Sequence, residues 1–169
     1  MAPSSLFPPH IAAMNSFHAD KPMEEIRKSL GIKHVVKLDC NENPSGPSPR
    51  VLQLFSNSWE KLNRYPDPGG FYLKRTLAER HSLSPQHVAL GNGSNELIDF
   101  LMKTFVDRDC EVVIAERAFI AYRMALQAAG GRGVFVPMNG GTHDLPAMAA
   151  AISPCTKLVF IANPNNPTG

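Results

Sequence analysis

The chain has 169 residues, 43% hydrophobic and 19% charged, with a formal net charge of +2 and a pI near 8.5. That balance suits a folded globular chain with its own core and excludes a disordered one. Lysines and arginines are scattered without a basic run, which argues against a nucleic-acid or anionic-membrane partner.

Residues 1–10 have neither a basic n-region nor a long apolar run, so no secretory signal is visible. No apolar stretch approaches the roughly 20 residues that span a bilayer. Cys40, Cys110 and Cys155 are odd in number and widely spaced. They form neither a metal-ligand pattern nor a disulfide framework. They favour a reducing compartment, so the expected location is cytoplasmic.

The part to about Asp67 is irregular and Pro-rich. Residues 22–30 read as a short helix, with Pro22 at its start, acids after it and Gly31 to stop it. His34 to Leu38 reads as a short strand, and 39–49 as a loop by composition. Ser48 is placed to cap a helix from Pro49 through Trp59. Residues 64–70 form a turn cluster, and Phe71 to Arg80 a helix.

From Val88 the rhythm changes. Val88 to Leu90, Glu111 to Ala115, Gly133 to Pro137 and Lys157 to Ala162 read as strands. Between them lie three predicted helices. Ser94 to Phe105 has Leu97, Ile98, Leu101, Met102 and Phe105 at 3–4 spacing. Phe119 to Ala129 ends at Gly130-Gly131, and Leu145 to Ile152 has Asp144 as a cap. The alternation predicts an α/β fold, a mainly parallel sheet with helices on both faces.

Gly91-Asn92-Gly93-Ser94-Asn95-Glu96 joins a strand to a helix. Two glycines let the backbone approach a ligand, and the helix N-terminus offers free N–H groups and a positive dipole end. A phosphate site and an ordinary glycine turn are both open readings. The third glycine of a dinucleotide fingerprint is absent, and so is Gly-Lys-Ser/Thr, which disfavours a nucleotide-binding domain. Tyr122 reads either as a ring-stacking aromatic or as a core residue. Asn166, past the last strand, either donates to a ligand or holds its own turn. In a parallel sheet these three features share one edge.

In order and spacing, Gly91–Ile98, Phe119–Tyr122 and Asn163–Gly169 resemble the pyridoxal-phosphate aminotransferases of fold type I, class I/II. Leu38–Pro49 and Arg64–Asp67 resemble the histidinol-phosphate branch. The resemblance implies an incomplete cofactor-binding large domain at 68–169, with an N-terminal arm and part of a small domain at 1–67. It implies pyridoxal 5'-phosphate as cofactor, its phosphate held by Gly93, Ser94 and Asn95. Tyr122 would stack on the ring and Asn166 would donate to the ring oxygen. Tyr65 would reach the cofactor phosphate of the other subunit of a homodimer. Asn41, Glu42 and Asn43 would lie near the substrate. Arg117 departs from the proline the family often has there.

The implied reaction exchanges an amino group between histidinol phosphate and 2-oxoglutarate, in histidine biosynthesis. Alternatives are an aminotransferase or decarboxylase acting on aromatic amino acids or threonine phosphate, and a truncated non-catalytic module binding the cofactor or another phosphate. In the family the Schiff-base lysine, the ring-nitrogen carboxylate and the substrate arginine follow the Asn-Pro-Thr-Gly turn. Lys74, Lys103 and Lys157 read as surface residues, so no catalytic residue is expected here. The chain is expected to be the N-terminal part of a longer protein, inactive and marginally stable alone.

Overall fold

The computed structural model describes residues 6–14 and 21–169. In chain order it contains α1 (Pro9–Ala12), α2 (Met23–Leu30), α3 (Pro49–Ser56), α4 (Phe71–His81), α5 (Gly93–Phe105), β1 (Glu111–Ala115), α6 (Ile120–Ala129), β2 (Arg132–Val136), α7 (Leu145–Ala150) and β3 (Thr156–Phe160). These residues form two compact units. One holds residues 21–72, and the other holds 6–14 and 73–169. Among the described residues no helix is long and apolar enough to cross a membrane.

In the first unit, α2 has Glu24 and Glu25 in its first turn, where the helix dipole favours acids. It ends at Gly31, whose φ of 65° is the left-handed conformation a helix stop requires. α3 starts at Pro49 as the sequence suggests, but the Ser48 hydroxyl makes no cap bond. The Ser48 carbonyl instead accepts from Val51 and Leu52 N–H. Trp59 falls outside α3, in a separate 3-10 turn, Trp59–Lys61. The expected strand at His34 to Leu38 is absent. The segment has no ladder partner among the described residues, and Val36 and Leu38 are 79% and 85% exposed. A strand needs a paired neighbour to satisfy its backbone groups. The Asp67 carboxylate accepts from Gly69 N–H and Phe71 N–H, which fixes the start of α4.

The second unit is built around β1. β1 pairs in parallel with β2 on one side and β3 on the other, in the order β2-β1-β3. A central strand covered on both faces reads as a continuous apolar run, and Val112 to Ala115 are all buried. Successive side chains point to opposite faces. Val112 and Ile114 pack with Met102 of α5 and Leu126 of α6. Val113 and Ala115 pack with Val136 and with Met148 of α7. Met102, Val112, Val113, Ile114 and Met148 are fully buried. Each contributes about 1.5–3 kcal/mol of burial free energy.

α7 begins where the sequence places it: Asp144 Oδ1 accepts from Ala147 N–H at 2.9 Å. α6 ends at Gly130, φ 77°. The strand expected at Val88 to Leu90 is absent. Both sides of β1 are taken by β2 and β3, and the segment pairs with nothing among the described residues. α1 lies against the end of α6, where Gln127 Nε2 donates to His10 O at 3.3 Å.

Candidate functional site

Parallel strands send their following loops off one edge. Ala115 is opposite Val136 and Ile114 opposite Phe160, so the segments after β1, β2 and β3 leave the sheet at one level. Two cavities open there. One of about 300 Å3 lies between Glu116 and Arg117 and the segment Pro137 to Gly141. The other, of about 240 Å3, is lined by Thr142, His143 and Leu145 and by Ile161 to Asn163, Asn165 and Gly169. This carboxyl edge is where open α/β sheets present ligand-binding groups.

α5 brings a helix N-terminus toward the same edge. It packs through Met102 onto Val112 and Ile114 and is joined to β1 by a short link. The helix therefore runs back along the strand. Thirteen residues at about 1.5 Å each match, to within one turn, five strand residues at about 3.3 Å. Its first turn holds Gly93, Ser94 and Asn95, all exposed. No side chain caps this end. Glu96 instead turns back, its Oε2 accepting from Asn92 N–H at 2.6 Å and from Asn92 Nδ2 at 3.2 Å. The backbone N–H groups of Ser94 and Asn95 have no partner outside the helix among the described residues. Gly93 has φ 73° and open space where a Cβ would stand. Free first-turn donors, a positive dipole end and a hydroxyl form an anion-binding arrangement.

Tyr122 is half-buried on α6. Its ring stacks on Phe160 of β3 with centroids 4.5 Å apart and planes at 28°. Burial raises its phenol pKa. Phe119, expected only as the first residue of this helix, stands immediately before α6 and meets Tyr122 edge to face at 6.0 Å. Two aromatics thus occupy the exit from β1, and one face of the Tyr122 ring is taken by Phe160.

The turn after β3 is held by Asn165, a residue that sequence reasoning missed. It is 6% exposed and donates from Nδ2 to Arg117 O at 3.2 Å and to Thr168 Oγ1 at 2.8 Å. Its Oδ1 is buried without a partner among the described residues. Asn166 is half-buried, and its side-chain amide has no partner among them. An amide that can donate is therefore left over next to one that is spent.

The remaining sequence-predicted residues belong to the other unit. Tyr65 is fully exposed. Asn41 has φ 53°, and Asn41, Glu42 and Asn43 are exposed. The Asn43 side chain serves its own turn, accepting from Ser45 N–H at 3.0 Å and donating to Gly46 O at 3.4 Å.

Residues 33–169 match the family model described as aminotransferase class I and II. The chain belongs to that family. Among the relatives of this aminotransferase chain, the histidinol-phosphate aminotransferase 1 of Idiomarina loihiensis is 44% identical over 161 residues. The match covers 95% of this chain and 44% of that protein. The histidinol-phosphate aminotransferase of Moorella thermoacetica is 42% identical, over 94% of this chain and 41% of its own. The crystal structure of histidinol-phosphate aminotransferase from Sinorhizobium meliloti in complex with pyridoxal 5'-phosphate superposes with a TM-score of 0.84 at 29% identity. It covers 96% of this chain and 44% of that one. The chain thus spans less than half the length of the relatives it matches.

Proposed function

We propose that this chain is the first part of an aminotransferase that exchanges an amino group between histidinol phosphate and 2-oxoglutarate, with pyridoxal 5'-phosphate as cofactor. The observation that carries the reading is the match of nine-tenths of the chain, at 42–44% identity, to proteins bearing that name. The residues present suit the cofactor: an uncapped helix N-terminus with an exposed Ser94 fits a phosphate, and an unpartnered Asn166 amide fits a ring oxygen. When bound, the cofactor supplies an electron sink for charge released at the substrate.

On this reading the N–H groups of Ser94 and Asn95 and the Ser94 hydroxyl bind the phosphate, and Gly93, whose own N–H is held by Gly91 O at 2.9 Å, leaves the space for its close approach. Tyr122 packs against the ring, with Phe119 as the second aromatic within reach of that role. Asn166 donates to the ring oxygen. Asn41, Glu42 and Asn43 lie by the substrate, which is a small-molecule amino donor. Tyr65 crosses to the partner's site in a homodimer. Exposed Phe55, Trp59 and Leu62 in the unit of residues 21–72 support a partner surface there. We read residues 1–67 as an arm with part of a small domain, and residues 68–169 as an incomplete large domain. Three free cysteines support a cytoplasmic location.

The lysine that carries the cofactor lies, in this proposal, outside these 169 residues. Lys103 is paired with Asp99 at 2.6 Å, and Lys157 is exposed on β3. Borohydride reduction and peptide mapping test this: a pyridoxyl adduct on Lys74, Lys103 or Lys157 would contradict it.

The function is tested by glutamate formation from 2-oxoglutarate in the full-length protein, with histidinol phosphate, aromatic amino acids and threonine phosphate as rival donors. Histidinol phosphate is expected to be the fastest. A faster aromatic donor or threonine phosphate would replace the substrate, and no transfer from any donor would overturn the reading.

A further inference from the structure

The turn that carries Asn166 is tied to both neighbouring loops by a relay of side-chain hydrogen bonds. Buried Asn165 grips Arg117 O, in the loop after β1, and Thr168 Oγ1, within its own turn. Thr168 then donates its hydroxyl proton to Gly141 O at 2.6 Å, in the loop after β2. His143, in that same loop, bonds Ala162 O at 2.9 Å, just before the turn. A carbonyl only accepts, so His143 Nε2 carries the proton there. The backbone closes the turn as well, since Gly169 N–H donates to Asn165 O at 2.7 Å.

The Thr168 hydroxyl is the node. It accepts from Asn165 and donates to Gly141, so its one proton and one lone pair are committed in fixed directions. Neither bond involves Asn166, whose amide stays without a partner among the described residues.

We propose that Asn165 and Thr168 are positioning residues, which lock the Asn163–Gly169 turn so that the Asn166 amide is presented in one orientation to the cofactor ring. The inference rests on the reading that Asn166 donates to that ring. It assigns a task to hydroxyl and amide groups that touch neither cofactor nor substrate. Preorganised donors act because their reorganisation is avoided at the moment of use. Valine at position 168 keeps the shape and loses both bonds, whereas serine keeps both.

The test uses the full-length holoenzyme and three variants: N166A, T168V and T168S. The pH midpoint of the cofactor's visible absorption band and the affinity for added pyridoxal 5'-phosphate are read in each. N166A is expected to shift the midpoint. T168V should shift it in the same direction and weaken affinity about tenfold, the equivalent of about 1.4 kcal/mol, while T168S stays as the parent. Amide exchange across residues 163–169 should quicken about tenfold in T168V, as loss of a restraint of that size implies. A parent-like midpoint and unchanged exchange in T168V, with N166A shifted, would overturn the positioning role and leave the Asn166 reading standing. No shift in N166A would overturn that reading, and the inference with it.

Discussion

Replacing Gly93 by alanine separates backbone geometry from steric fit at the proposed phosphate site. Gly93 has φ 73°, and a Cβ built on it meets no atom within 4 Å. Nothing needs to move aside, so the cost is conformational. A residue with a Cβ in the left-handed region costs roughly 1–2 kcal/mol. Reduced freedom of the unfolded chain returns about 0.4–1 kcal/mol. The net loss of stability for G93A is therefore about 1 kcal/mol, a shift of a few degrees in Tm. The cofactor should notice more. Relieving the strain means rotating the peptide that aims the Ser94 N–H. A hydrogen bond to a charged group contributes about 1.5–3 kcal/mol, so phosphate affinity should fall about 10- to 100-fold. G91A is the control: a Cβ there comes within 3.1 Å of Glu96 Oε2 and of Leu97, both flexible side chains. Calorimetric titration of the cofactor-free full-length protein with inorganic phosphate and with pyridoxal 5'-phosphate measures both variants. G93A binding like the parent, or G91A losing more affinity than G93A, would refute the reasoning.

Met102 is fully buried between α5 and the sheet, so M102A should cost about 2–5 kcal/mol, read as a lowered denaturant midpoint. D144A removes the Ala147 cap bond and should cost about 1 kcal/mol, with D144N losing less. The Cys110 thiol donates to the Asp107 carboxylate, which raises the thiol pKa and lowers that of the carboxylate. The carboxylate contribution is lost as pH falls through its lowered folded value, and the thiol contribution as pH rises through its raised one. Alkylation at mildly alkaline pH should therefore take exposed Cys40 and Cys155 first and Cys110 last, and D107N should speed Cys110. Equal rates at all three in the parent would contradict this.

The elements that position the site were legible where periodicity ran long enough. α5 and α6 carry apolar residues at helical spacing, and β1 is an unbroken apolar run because both its faces are covered. His34 to Leu38 and Val88 to Leu90 misled because a short apolar segment becomes a strand only when another strand lies beside it. Asp144 announced its cap, but Ser48 occupied a cap position without making the bond, a choice of rotamer that sequence does not encode. In the turn after β3, Asn165 and Asn166 are chemically identical and adjacent. Only packing tells the buried clamp from the free amide. Phe119 and Tyr122 are likewise separated by their environment, since Phe160 claims one ring and not the other. The bond from His143 to Ala162 joins segments distant in sequence, and the polar Thr142-His143-Asp144 cluster before α7 was its one local sign.

The most direct test of the functional reading is the spectrum of the purified full-length protein loaded with pyridoxal 5'-phosphate. Histidinol phosphate alone is predicted to bleach the visible band, and 2-oxoglutarate added afterwards to restore it. A band that histidinol phosphate leaves unchanged, or a protein that takes up no cofactor, would contradict the account.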